Sequence, residues 1–279
     1  MTTRALVLGG GGLAGIAWQT GVLAGLARAG VDVAAADFVL GTSAGSVVAT
    51  QIATGVPLDD QFTRQVDPAR QVRELTPPAT TGLGLLEELP EYGDLDPAEL
   101  RRQQGRLALE ADTVPEAARR AVIAERLPVR EWPDRPLAVV AVEAASGEPV
   151  VFDRESGVDL VDAVAASCAV PAVWPPVTIG GLRYVDGGVR SINNVDLAAG
   201  YDRVLVLAVL TDPATAAQVA WLAGHGTRVE LITPDERATE VITTGLLSPA
   251  TRAPAANAGL AQAKSVLAVA ARWLAQDAS

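Results

Sequence analysis

Residues 38–54 read Phe-Val-Leu-Gly-Thr-Ser-Ala-Gly-Ser-Val-Val-Ala-Thr-Gln-Ile-Ala-Thr, and the rest of the chain is arranged around them. Phe38-Val39-Leu40 has the length and composition of a buried strand. It runs into Gly41-Thr42-Ser43-Ala44-Gly45, and Ser46 to Thr54 then reads as a helix closed by Gly55 and Pro57. A serine in G-x-S-x-G at a sharp strand-to-helix turn has its hydroxyl pushed outward, and the small neighbours Gly41 and Gly45 avoid backbone clashes there. The helix start also favours negative charge developing nearby. Taken alone, the same five residues also fit an ordinary helix start with Ser43 as N-cap. The flanking sequence has to discriminate.

Upstream, residues 4–8 form a short apolar run, Gly9 to Gly12 a turn, and Ala14 to Ala29 a helical stretch stopped by Gly30. Strand, helix, strand in this order implies a parallel pair with a right-handed crossover. Gly10, Gly12 and Gly15 satisfy G-x-G-x-x-G, so a nucleotide-binding oxidoreductase is one reading. That reading needs an acid at the end of the second strand to hold the ribose. Here the strand ends in Gly41-Thr42-Ser43, and Asp32 and Asp37 precede it. The amides of Gly10, Gly11 and Gly12 at a helix start suit a second role better, receiving an oxyanion.

Downstream, Leu137–Val142 and Val150–Phe152 read as a hairpin around Ser146-Gly147, and Leu160–Ala169 as a helix. Val177–Ile179 and Arg183–Val185 form a second hairpin that ends in Asp186-Gly187-Gly188. Two further strands, Val204–Val209 and Val229–Thr233, flank a helix over 214–222. The chain closes with an amphipathic helix carrying Leu260, Ala263, Leu267, Ala270, Ala271 and Leu274 on one face. The pattern predicts a three-layer α/β/α fold with a mostly parallel central sheet, in a single domain over 1–279. Residues 57–135, rich in Pro and free of strand-like runs, form a helical, cap-like insertion, and 250–279 the closing helix. A nucleophilic serine needs a base. Asp186 is one candidate, acting directly. The other is His225 in a Ser43-Asp186-His225 triad of the α/β-hydrolase order, although Gly224-His225-Gly226 also fits a helix C-terminal cap.

Taken together, these motifs resemble the patatin-like phospholipase family. A glycine loop follows the first strand (Gly10–Gly15), a G-x-S-x-G elbow follows the second (Gly41–Gly45), and D-G-G stands 143 positions after the serine (Asp186–Gly188). Ala166-Ser167-Cys168-Ala169-Val170-Pro171 resembles the family's A-S-x-A-x-P stretch, and Asn193-Asn194 with Asp196 fits the pattern after the aspartate. The resemblance covers about 4–55 and 137–235. It implies a lipid acyl hydrolase with Ser43 as nucleophile, Asp186 as proton acceptor, Gly10, Gly11 and Gly12 as oxyanion donors, and neither cofactor nor metal. One departure matters. The family's loop often has Arg or Lys before its last glycine, where this chain has Ala14, so the expectation is acyl-ester hydrolysis in general.

Composition agrees with that class. The chain of 279 residues is 49 % hydrophobic with a formal net charge of −11, which disfavours nucleic acid and anionic bilayers as partners over most of the surface. One cysteine, Cys168, and one histidine exclude an intrachain disulfide and the usual zinc sites, and a cytoplasmic location is expected. Within the insertion, 57–100 holds ten acids and three arginines, and 101–135 eight arginines and six acids. Thr81–Leu86 is an apolar stretch that fits an acyl-channel lining or peripheral membrane contact, and equally a loop that packs on the core. A non-catalytic lipid-binding protein on the same fold is the remaining alternative.

Overall fold

A computed structural model of the chain describes residues 2–76 and 96–275; Thr81–Leu86 lies outside the described residues. β1 (Arg4–Leu8) and β2 (Phe38–Thr42) are parallel neighbours joined by α1 (Gly12–Arg28). α2 (Ala44–Ala53) leaves β2 at once, two residues before its expected start, because Ser43 alone makes the turn. The described helices of 57–135 are α3 (Leu58–Val66), α4 (Pro97–Glu110) and α5 (Glu116–Arg126). β3 (Leu137–Glu143), β4 (Pro149–Phe152), α6 (Leu160–Ser167), β5 (Val177–Ile179) and β6 (Leu182–Asp186) follow. The chain continues through β7 (Arg203–Leu207), α7 (Pro213–Gly224), β8 (Arg228–Ile232) and α8 (Glu236–Thr243) to α9 (Arg252–Leu274).

The strands form one sheet along the path β5-β6-β3-β2-β1-β7-β8, with β4 on β3. β3, β2, β1, β7 and β8 are mutually parallel, and β4 and β6 run against β3. Side chains alternate between the faces. Leu6 and Leu8 share one core with α1, α2, α6 and α9, whereas Ala5 and Val7 meet Val204, Val206 and Leu222 of α7 on the other. Both faces are therefore covered, which is why the strands are continuously apolar.

Two expectations change in detail. The buried face of α9 runs through Ala255, Ala256, Gly259, Ala263, Ala270 and Trp273, with Leu260, Leu267 and Leu274 half-buried against the same core; of the expected face, Ala271 alone is exposed. Along that face α9 approaches α1 closely, since a Cβ on Gly259 would lie 2.3 Å from the Trp18 carbonyl oxygen. Small residues let the two backbones meet, and Trp18 completes the seam by donating Nε1–H to Gln262 Oε1 at 2.9 Å. The helices of 57–135 pack on the flanking layers: α3 on α1 and α9, and α5 on α6.

β3 sets the register that matters for chemistry. β4 pairs along one edge of β3 at Val139–Val142, so β2 and β6 share the opposite edge, end to end. Thr42 at the end of β2 pairs with Val140, and Asp186 at the end of β6 pairs with the next residue, Ala141. Two antiparallel strand ends meet on one template strand, and residues far apart in sequence become neighbours.

Candidate active site

Ser43 stands at φ 51° and ψ −117°, a left-handed conformation that costs a non-glycine residue of order 1–3 kcal/mol. The surroundings hold it there. Its N–H donates to Ser167 Oγ at 2.9 Å, and its carbonyl oxygen accepts from Ser46 N–H at 2.9 Å, Ser46 Oγ–H at 2.7 Å and Cys168 Sγ–H at 3.3 Å. Gly45 makes the turn possible, since a Cβ there would lie 1.9 Å from the Leu8 carbonyl oxygen. Ser43 does not use its side chain as a helix cap, so the hydroxyl is left available.

Asp186 is 4 % exposed. Its Oδ1 accepts the Gly188 N–H at 2.7 Å, while Oδ2 is buried and accepts no hydrogen bond from any described residue. Burial pushes the carboxyl up to about 7 from an ordinary value of 3.8. The Ser43 hydroxyl, the Gly188 amide and the Arg119 guanidinium act in the opposite direction. A carboxylate poised near neutrality beside a hydroxyl has the proton affinity of a general base. Asn194 ties the two strand ends together. Fully buried at φ 51°, its Nδ2 donates to Thr42 Oγ1 at 3.0 Å, to the Gly187 carbonyl at 3.2 Å and to the Ser191 carbonyl at 2.7 Å. Gly187 is pressed on β3, where a Cβ would lie 2.3 Å from the Val140 carbonyl oxygen.

The glycine loop departs from expectation at one position. The Gly10 N–H donates to the Ile192 carbonyl at 2.8 Å, so it anchors the loop to the chain beyond Asp186 and is not free for an oxyanion. The amides of Gly11, Gly12, Leu13 and Ala44 donate to no described residue. Gly12, Leu13, Ser43 and Ala44 border one cleft. Leu13 and Ala44 escaped the sequence pattern because an amide donor carries no side-chain signature. Gly15 donates back to the Gly11 carbonyl at 2.7 Å, and a Cβ there would lie 3.4 Å from the Ala44 Cβ at the start of α2.

His225 lies elsewhere. It is the C-cap of α7, exposed, with Nδ1 2.7 Å from the Trp221 carbonyl oxygen. It precedes β8, so it sits at the edge of the sheet where the parallel strands begin, whereas Ser43 follows the end of β2. A five-residue strand separates those edges by roughly 17 Å. The triad is thereby excluded. The acids weighed for a ribose are at that same far edge: Asp37 accepts the Arg4 N–H at 2.7 Å, and Asp32 caps the turn at Val33–Ala35. Burial pushes the Cys168 thiol up to about 11, so it is a structural donor to Ser43 and not a nucleophile.

Three cleft residues had no sequence signal: Glu74, Arg119 and Arg126. All three side chains are buried. Trp174 closes that side, with the Arg119 guanidinium 3.8 Å above its ring.

A family model described as patatin-like phospholipase matches residues 6–199. Among solved structures, VipD from Legionella pneumophila is similar at 15 % identity and a TM-score of 0.50, over 96 % of this chain and 67 % of that one. ExoU in its heterodimeric complex with SpcU, from the type III secretion system of Pseudomonas aeruginosa, is matched at 14 % identity and a TM-score of 0.41, over 99 % of this chain and 52 % of that one. The chain thus spans about half the length of ExoU. The curated proteins hold no match. Among the described residues, no helix is long and apolar enough to cross a membrane.

Proposed function

This chain belongs to the patatin-like phospholipase family, and from that premise we propose that it hydrolyses lipid acyl esters through Ser43 and Asp186 by way of an acyl-enzyme. The observation that carries the reading is the convergence of β2 and β6 on adjacent residues of β3, where a strained, uncapped serine follows Thr42 and Asp186 supplies a buried carboxylate. Asp186 Oδ2 accepts the Ser43 hydroxyl proton as Oγ attacks the ester carbonyl carbon. The carbonyl π pair moves to oxygen, and the open amides of Gly11, Gly12, Leu13 and Ala44 are the donors available to that oxyanion; losing one such donor typically costs about 3 kcal/mol of transition-state stabilisation.

Collapse of the tetrahedral intermediate breaks the bond to the alcohol oxygen, which takes the proton from Asp186. Water then enters, gives a proton to Asp186 and attacks the acyl carbon. The second collapse releases the carboxylic acid and returns the proton to Ser43 Oγ. Neither a metal nor a cofactor takes part in these steps.

Hydrolysis of a neutral ester by purified protein tests the assignment. Ser43→Ala and Asp186→Asn are each expected to lower kcat at least about 1,000-fold, and His225→Ala to leave it within about twofold. Loss of activity in His225→Ala would sink the dyad. A folded wild-type protein that binds lipid but turns over no ester would favour the non-catalytic alternative.

A further inference from the structure

Ala166-Ser167-Cys168-Ala169-Val170-Pro171 takes no part in the chemistry above, yet it lies against both members of the dyad. α6 ends at Ser167. There the Cys168 N–H donates to the Val164 and Ala165 carbonyls at 3.1 and 3.2 Å, and the Ala169 N–H to the Ala166 carbonyl at 3.1 Å. Pro171 cannot continue the helix, and Ala172 turns left-handed at φ 60°. The turn is thus fastened to its own helix before it touches anything else, and Ser167, Cys168 and Ala169 are all buried.

Each of these three consecutive residues reaches a catalytic one. Ser167 Oγ accepts the Ser43 N–H at 2.9 Å. Cys168 Sγ–H donates to the Ser43 carbonyl at 3.3 Å. The Ala169 carbonyl accepts the Asp186 N–H at 2.9 Å. One turn therefore holds Ser43 at both ends of its backbone and Asp186 at its amide. Asn194 does a different job, since it ties Thr42 to the Gly187 carbonyl.

The Ser43 carbonyl and the Ala44 N–H belong to one planar peptide and point to opposite sides of it. Whatever holds that carbonyl also sets the direction of the Ala44 amide, one of the donors available to the oxyanion. Ser46 and Cys168 hold it together, with Oγ and Sγ 3.7 Å apart. The thiol remains a donor at neutral pH, because burial pushes it up to about 11.

We propose that Ser167 and Cys168 are positioning residues for acyl transfer: Ser167 fixes the Ser43 N–H, Cys168 fixes the Ser43 carbonyl and with it the Ala44 amide, and the turn they share with Ala169 sets Ser43 against Asp186. The role asks for no contact with substrate. Its effect belongs to kcat, because preorganised donors act on charge that develops in the transition state. The inference rests on the reading of Ser43 and Asp186 as the dyad, and it adds what keeps the two in register.

The test is hydrolysis of p-nitrophenyl butyrate by the full chain, with kcat, KM and melting temperature measured for each variant. Ser167→Ala leaves the buried Ser43 N–H without its acceptor and is expected to lower kcat at least about tenfold, with KM within about twofold. Cys168→Ala is expected to lower kcat about fivefold, and Cys168→Ser, which keeps a donor, to restore it to within about twofold of wild type. Val161→Ala removes buried volume six residues earlier in α6, so it is expected to lower the melting temperature and to leave kcat within about twofold.

An unchanged kcat in Ser167→Ala overturns the proposal, as does a change confined to KM. A fall in kcat that Val161→Ala reproduces at equal loss of melting temperature also overturns it, since general loosening then suffices. A Cys168→Ser variant as slow as Cys168→Ala removes Cys168 from the role. Should Ser167→Ala not fold, the two Cys168 variants decide the matter. Wild type that hydrolyses no ester and whose Ser43 resists a fluorophosphonate ends the dyad reading, and the inference falls with it; an active wild type with insensitive variants ends the inference alone.

Discussion

Replacing Asp186 by Asn keeps the shape of the side chain and removes a buried charge, and the two effects separate activity from stability. The folded carboxyl titrates near 7 and the unfolded one near 3.8. Between those values the folded state binds more protons, so wild-type stability is fully present below the lower value and is lost as pH rises through the upper one. Integrated over the window, the loss is roughly 4 kcal/mol, of which about 2 kcal/mol falls between about pH 5.5 and pH 8.5. Asn does not titrate, and its Oδ1 can still accept the Gly188 N–H. Other ionisable groups are common to both proteins and cancel in the difference. Urea unfolding at the two pH values measures it. Asp186→Asn is expected to gain about 2 kcal/mol on wild type over that interval while losing hydrolysis. A stability difference that stays constant within about 0.5 kcal/mol across the interval refutes the burial argument.

Three further outcomes follow from the same geometry. For a neutral ester, kcat/KM is expected to fall about tenfold per pH unit below about 7 and to level off above it, because Asp186 must be ionised to accept a proton; a flat profile between about pH 5 and pH 9 removes Asp186 as the base. Ser43→Gly relieves the left-handed strain that Ser43→Ala retains, so the glycine variant is expected to be about 1 kcal/mol more stable than the alanine variant, measured by denaturant unfolding. Asn194→Ala removes the amide shared by Thr42 Oγ1 and the Gly187 and Ser191 carbonyls and is expected to cost about 2 kcal/mol, with a fall in kcat on a neutral ester as the strand ends lose their tie; a loss under about 0.5 kcal/mol contradicts its positioning role.

What the sequence displays and what it hides divide along physical lines. The Ser43 turn is legible because strand, elbow and helix are adjacent in sequence, and small residues are demanded wherever backbones approach. Asp186 is legible only as the end of a hairpin; its meeting with Ser43 depends on β3 serving both strand ends, which no local pattern encodes. The engagement of Gly10 is hidden for the same reason, since its acceptor, Ile192, lies far along the chain. Leu13 and Ala44 act through backbone alone. Arg119 and Arg126 are concealed by convention, because charged residues on an amphipathic helix read as solvated unless their partners, Glu74 and Arg252, are known. The leucine spacing of α9 shows which side meets the core, whereas its closest contact, set by Gly259 with Gly21 and Gly25 of α1, is legible only once the two helices are paired.

The central claim is that Ser43 is a nucleophile activated by Asp186. Intact-protein and peptide mass spectrometry after treatment with a fluorophosphonate probe tests it directly. The account predicts one adduct per chain, on Ser43, abolished in Ser43→Ala and strongly slowed in Asp186→Asn. An unmodified Ser43 in folded wild-type protein, or equal labelling rates with and without the Asp186 carboxylate, would contradict it.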